Sequence, residues 1–275
     1  MACANRAKRS IDLYDSGDYA GASRAADEGL ASHPNDDGLW AMKVRASIAL
    51  GDIEGTAKAY EMYVSHRGGD DKELLRDLAT ATLGQALASP SAKMKMAAIE
   101  AIERIEIHSL TDQVAERMGD DDDRVAATAA VALLNGMPGA PQVLDDMLRS
   151  ENAEARRIAV EGVGRKVALK GKGNRVSQLA AGDLETAAKD SDPRVRRAAI
   201  RWLGMIKDKD AVEVLMQHMK DPDDSVRAAA ASALARIGVG NLAALGKQAI
   251  ADRSLAVRMA AIDLYAAANA DADLV

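Results

Sequence analysis

The sequence predicts an all-α fold, a right-handed solenoid of stacked helix pairs, and three observations carry that expectation. A turn-then-helix pattern recurs along the chain at a nearly constant interval. No segment alternates apolar and polar residues as a half-buried strand would. Composition agrees: 275 residues contain no Phe and only 3% aromatics, so the core must come from Ala, Leu, Val, Ile and Met. Small aliphatic side chains suit closely packed helix pairs better than a sandwich or barrel.

From the N-terminus, "SGDYAGASRAADEGLASHPND" and "LGDIEGTAKAYEMYVSHRGGD" align at a spacing of 34, pairing Gly17-Asp18 with Gly51-Asp52, Tyr19 with Ile53 and Leu30 with Val64. These residues, with Ala22, Pro34, Trp40 and Tyr60, resemble tetratricopeptide repeats, whose period this is. The pattern is degenerate: Arg6 takes the usual Trp place, Thr56 replaces a small Ala, and Gly68 stands opposite Pro34. The usual inward Lys and Asn of a carboxylate clamp are replaced by Ala7, Ile11 and Met42, so recognition of a chaperone tail is not implied. A further helix, "DKELLRDLATATLGQALA", closes this part, and the expected domain spans residues 1–88.

A second period begins near Ser89. Taking Val195-Arg196 as the marker, corresponding steps fall at Met94-Lys95, Val125-Ala126, Ala155-Arg156, Val226-Arg227 and Val257-Arg258, spaced 31, 30, 40, 31 and 31 residues. Each follows a short polar turn ("SPSAK", "DDDDR", "SENAE", "DSDPR", "DPDDS", "DRSLA") and opens an Ala-rich helix. A second apolar helix lies between markers, such as "DAVEVLMQHMKD". Segments such as "DPDDSVRAAAASALARIG" and "DSDPRVRRAAIRWLGMI" resemble HEAT repeats of the short type also found in phycobilin lyases. The resemblance covers residues 89 to 269, within an expected second domain of six repeats at 89–275. It implies that the turn Asp caps a helix and that the Arg after Val reaches an acid in the adjacent repeat, which makes Asp190, Asp221, Arg196, Arg227 and Arg258 a structural ladder.

Not every arginine belongs to such a ladder. Counting each marker Val as zero, positions +2 and +6 share one face of the second helix, the face that in HEAT arrays lines the concave surface. They read Met96/Glu100, Ala127/Val131, Arg157/Glu161, Arg197/Arg201, Ala228/Ser232 and Met259/Asp263. Charge is concentrated in the middle, beside the 40-residue spacing, whose extra residues form the basic insertion "RKVALKGKGNRVSQ". From 151 to 210 basic residues outnumber acids by five, although the whole chain carries -6. The expected partner-binding set is therefore Arg157, Glu161, Arg197 and Arg201 with Lys170, Lys172 and Arg175 of the insertion.

Other chemistry is thinly represented. Cys3 is the sole cysteine, which excludes an internal disulfide; "MACAN" places it as at the start of a mature bacterial lipoprotein. Without a hydrophobic leader or lipobox the chain reads as cytoplasmic, the alternative being a cell-envelope lipoprotein anchored at Cys3 whose leader has been removed. No apolar run reaches the length of a membrane span. His33, His66, His108 and His218 are scattered without metal-ligand spacing, so no cofactor or metal is expected. The glycines and Lys247 of "GVGNLAALGKQ" lack the spacing and the Ser/Thr of a phosphate loop. The expected function is a non-enzymatic scaffold binding a protein or peptide, with an acidic surface, on its concave face. The alternative is a HEAT-like enzyme or nucleic-acid-acting protein of the bilin lyase or alkylpurine DNA glycosylase type. A sequence pI of 5.4 argues against nucleic acid, which needs a continuous basic footprint.

Overall fold

The computed structural model describes residues 7–134, 136–170, 182–206, 209–238 and 241–272, and every regular element among them is helical. The helices gather into two compact units, Met1–Leu110 and Thr111–Val275.

In the first unit, α1 (Lys8–Asp15), α2 (Tyr19–Ser32), α3 (Asp37–Leu50), α4 (Ile53–Arg67), α5 (Lys72–Leu87) and α6 (Ala92–Ile105) follow one another through short turns; α1 to α4 pack each on the next, α5 packs on α3, and α6 on α5. The 34-residue correspondence has a local cause. Gly17 and Gly51 adopt φ of +84° and +72°, a left-handed conformation that lets the chain leave a helix and costs glycine little. The next residue, Asp18 or Asp52, then caps the following helix by accepting a hydrogen bond from the N–H of Gly21 or Gly55. Helices so punctuated bury two apolar patches. One is built on Leu30, Leu39 and Met42, the other on Val44, Ala59, Tyr63 and Leu74, and Trp40 lies against both.

The second unit is a solenoid-like stack. Marker helices α8 (Asp123–Ala132), α10 (Ala153–Lys170), α11 (Pro193–Met205), α13 (Asp224–Ile237) and α15 (Leu255–Ala272) alternate with shorter ones: α7 (Thr111–Glu116), α9 (Ala140–Met147), helical residues 182–187, α12 (Val212–His218) and α14 (Leu242–Ile250). Successive marker helices pack on one another, α8 on α10, α10 on α11, α11 on α13 and α13 on α15. One core cluster runs from Val160 to Leu264 and is mostly Ala, Leu, Val and Ile. Small residues permit the close approach. A Cβ on Gly204 would stand 2.7 Å from the Cα of Ala233 and 2.6 Å from its Cβ, so α11 and α13 touch backbone to backbone there.

The polar turns hold the stack in register. The first residue of each turn (Ser89, Asp120, Ser150, Asp190, Asp221, Asp252) accepts the N–H of the third, at 2.8 to 3.2 Å. The third residue is then the helix cap: Ser91, Asp122, Asn152, Asp192 and Asp223 each accept a hydrogen bond from the first turn of the helix they precede. Capping by Asp190 and Asp221 is thereby corrected. Those two carboxylates face the preceding repeat instead, because the turn directs the first residue inward and the third along the helix axis.

Three of these first-position carboxylates receive an arginine fork. Arg156 donates through Nε and Nη2 to Asp190 at 2.7 and 2.9 Å, Arg196 to Asp221 at 2.9 and 2.8 Å, and Arg227 to Asp252 at 2.8 and 2.9 Å. The Nη1 of each arginine also donates to two carbonyls of its own turn, such as Asp221 and Pro222 for Arg227. Arg258 keeps the carbonyl contacts, to Asp252 and Arg253, and has no carboxylate partner among the described residues. A serine rung runs alongside: the Ser254 hydroxyl donates to Asp224 at 2.8 Å, and Ser150 to Asp123 in the same way. His218 adds a bridge from α12 to the preceding short helix, its ring nitrogens 2.7 Å from the carbonyls of Val214 and Ala188. Leu264 of the last repeat is fully buried against the core, while Leu255 and Ile262 beside it remain exposed.

Arg227 is 6% exposed and its loss would strand the Asp252 carboxylate, so Arg227→Ala should destabilise the protein by about 3–5 kcal/mol. Arg258→Ala removes only hydrogen bonds to carbonyls and should cost about 1–2 kcal/mol. Urea denaturation of the two variants measures the contrast. Adding a methyl at the α11–α13 contact, as Gly204→Ala, should cost about 1–3 kcal/mol by the same measurement, since backbone must move to admit it.

Candidate functional site

Marker helices stacked in register place equivalent positions side by side, and on one face of the second unit this builds an open groove of about 1110 Å³. The +2 and +6 residues of three successive helices all line it: Arg197 and Arg201 from α11, Ala228 and Ser232 from α13, and Met259 and Asp263 from α15. The floor is made of small residues, Ala229, Ala233, Ala256 and Ala260. Met205 and Met259 stand at the walls, 48% and 57% exposed, and Arg236 enters from the last turn of α13.

The charges here are unevenly partnered. Arg197 and Arg236 are exposed, with no carboxylate within ion-pair distance among the described residues. Arg201, its side chain 56% exposed, has one distant partner, Nη1 lying 3.9 Å from Glu161 Oε1. Asp263 supplies the groove's negative charge and accepts the Ser232 hydroxyl at 3.3 Å.

The other expected residues are placed differently. Arg157 donates through Nε and Nη2 to both carboxylate oxygens of Glu154, at 3.1 and 2.7 Å, and lies 4.0 Å from Glu161. That pairing holds the Glu154 carboxyl below its ordinary range, the Arg157 hydrogen bonds being the main cause. Glu161 accepts the indole N–H of Trp202 at 2.7 Å as well as facing Arg201. Trp202 fits there because Gly164 has no side chain; a Cβ on that residue would lie 2.1 Å from the indole. Glu161 thus braces α10 against α11, Arg157 pairs within α10, and neither lines the groove. Lys172 and Arg175 lie outside the described residues, as does Cys3, and Lys170 ends a described helix without a described side chain.

Sequence reasoning missed Arg236 and Met205. Both sit at +10 from their markers, the next step of the +2, +6 progression along a helix face, so extending the same count by one turn finds them. Among the described residues no three His, Cys, Asp or Glu side chains are grouped to hold a metal ion, and no helix is long and apolar enough to cross a membrane.

Residues 183–266, which contain the groove, match the family model for HEAT repeats. No curated protein matches. Among solved structures, the chain is similar to the X-ray structure of YibA from E. coli, at 18% identity, with 89% of this chain and 86% of that one covered and a TM-score of 0.50. An engineered protein aligns at 19% identity over 69% of this chain and 96% of its own, with a TM-score of 0.47. At such identities the likeness concerns the fold. The stack is a helical-repeat architecture, and residues 183–266 within it are HEAT-like in sequence.

The site rests on α11, whose cap is Asp192. Hydrogen bonds from Arg194, aided by backbone N–H groups at the helix start, hold the Asp192 carboxyl at about 2, against burial that opposes them. A carboxyl lowered on folding stabilises the fold above its ordinary value near pH 4, and that contribution is lost as pH falls towards 2. Stability measured in urea should therefore decline between about pH 4 and pH 2, and Asp192→Asn should flatten that decline while lowering stability at pH 7.

Proposed function

We propose that this chain is a non-enzymatic interaction scaffold, in which tetratricopeptide-like helix pairs precede a HEAT-like array, with the division near residue 88, and a protein or peptide partner occupies the concave face of the array. The observation that carries this reading is the arginine-rimmed groove. Packing alone accounts for Arg156, Arg196 and Arg227, each locked to a carboxylate, but not for Arg197 and Arg236, which are exposed in a cavity without an acidic partner. In a protein of net charge -6, cations kept unpaired on one face favour an acidic surface and speed its encounter. The HEAT-repeat match over the same residues supports a scaffold, since such folds host function on their exposed faces. Glu161 acts in this reading as a brace for the groove, and Arg157, with Lys170, Lys172 and Arg175 of the insertion, adds to the basic character of the same stretch of sequence.

The test is a partner capture with paired variants. Arg197→Glu with Arg201→Glu should reduce retention of the bound partner tenfold or more and leave the melting temperature within about 2 °C, since both side chains are exposed and contribute little to stability. Arg196→Glu should do the reverse, lowering the melting temperature by breaking the Asp221 contact. Raising salt from 50 to 300 mM should weaken retention by wild type, as expected for exposed charge pairs. Unchanged retention by the Arg197/Arg201 variant would overturn the reading.

A further inference from the structure

We infer that the occupant of the groove is an amphipathic α-helix of about two to three turns, with carboxylates on the face toward α11 and aliphatic side chains toward the alanine floor. This rests on the proposed function and specifies the partner.

Three observations select a helix. The groove is walled entirely by α11, α13 and α15, whose backbone groups are engaged within the helices themselves. The hydroxyls along it are also committed, Ser225 to Asp223 at 2.6 Å and Ser232 to Asp263 at 3.3 Å. An extended segment would find no ladder of main-chain partners there and would leave its own N–H and C=O groups unpaired when desolvated. A helix brings its backbone already satisfied. Length agrees: the groove residues of α11, Arg197 to Met205, span about 12 Å at a rise of about 1.5 Å per residue, a little over two helical turns.

The side-chain pattern follows from what lines each wall. Arg197 and Arg201 are one turn apart on α11 and project into the groove with Arg236, so they match acidic residues spaced i, i+4 on the facing helix. The floor of Ala229, Ala233, Ala256 and Ala260 has no bulk of its own and accepts Leu, Ile or Met from the partner. Met205 and Met259 close the sides with flexible thioether chains that adapt to the entering residues. Asp263, on the wall opposite the arginines, disfavours a helix acidic all round and selects one whose charge is confined to a single face.

The test uses the full chain and fluorescein-labelled synthetic 14-residue peptides sharing one Leu pattern, with Glu, Gln or Lys at the i, i+4 positions, plus a Glu peptide interrupted by a central Pro. Fluorescence anisotropy at 50 mM salt should show the Glu peptide binding at least tenfold more tightly than the Gln, Lys and Pro-interrupted peptides. Arg197→Glu with Arg236→Glu should weaken the Glu peptide tenfold or more and favour the Lys peptide, and Met205→Ala with Met259→Ala should weaken the Glu and Gln peptides alike. Binding of the Gln or Lys peptide as tight as that of the Glu peptide would overturn the acidic assignment, and equal binding of the Pro-interrupted peptide would overturn the helix. Should no peptide bind while partner capture still depends on Arg197 and Arg201, this inference alone fails; should capture be independent of them too, the proposed function fails with it.

Discussion

The second unit depends on one interaction repeated along its stack: an arginine that grips the carboxylate opening the next repeat's turn while its remaining amino group holds two carbonyls of its own turn. Planar guanidinium geometry makes this possible, since a fork of five donors can satisfy a carboxylate and two carbonyls at once, which a lysine could not. In Arg227 the group is almost wholly buried; its Nη1 meets two carbonyls of its own turn, and its Nε and Nη2 meet the Asp252 carboxylate, one oxygen of which also accepts the Ser254 N–H. Burying an ion pair adds little net stability, because desolvation opposes the attraction, whereas a misplaced pair is severely unfavourable. The ladder therefore acts mainly on register. It makes one spacing between repeats much better than its neighbours, over a core of alanines that by itself would tolerate sliding.

Its logic is visible within the chain. Where Arg156, Arg196 and Arg227 follow the marker, the next turn opens with Asp190, Asp221 and Asp252; where Ala126 follows it, the next turn opens with Ser150. An Asp at that place needs a cation to meet it, as Asp120, which follows the Lys95 marker, has Arg117 at 3.9 Å, while a serine still accepts the turn N–H and can donate across to Asp123. Register in turn creates the groove. Only when α11, α13 and α15 are stacked without slippage do Arg197, Ala228 and Met259 fall side by side, and the close approach at Gly204 brings their helices near enough to share one cavity.

The candidate site was legible in part. Positions +2 and +6 follow from helical periodicity, and for the last three marker helices all six such residues share the groove. The same rule could not separate Arg157 from Arg197, because it places both at +2 on the same helix face and says nothing of their partners. Arg157 has Glu154 three residues before it on its own helix, and the geometry closes that pair; Arg197 has Arg194 and Arg201 at the corresponding distances and finds no acid within ion-pair distance among the described residues. Glu161 looked like a surface acid and is instead the acceptor of the Trp202 indole, a contact spanning 41 residues that exists only because Gly164 leaves room for the ring.

Sequence by itself determined the helices, their order and their ends, because caps, left-handed glycines and apolar periodicity are local devices acting over fewer than about five residues. It also determined which residue types recur, and so announced a stack. Tertiary structure decided which aspartate of each turn caps and which is gripped, which arginines are spent on packing and which stay free, and that Arg236 and Met205 join the groove. Those outcomes depend on distances between side chains 25 to 41 residues apart, and such distances are set by how helices settle on one another rather than by any pattern within one of them.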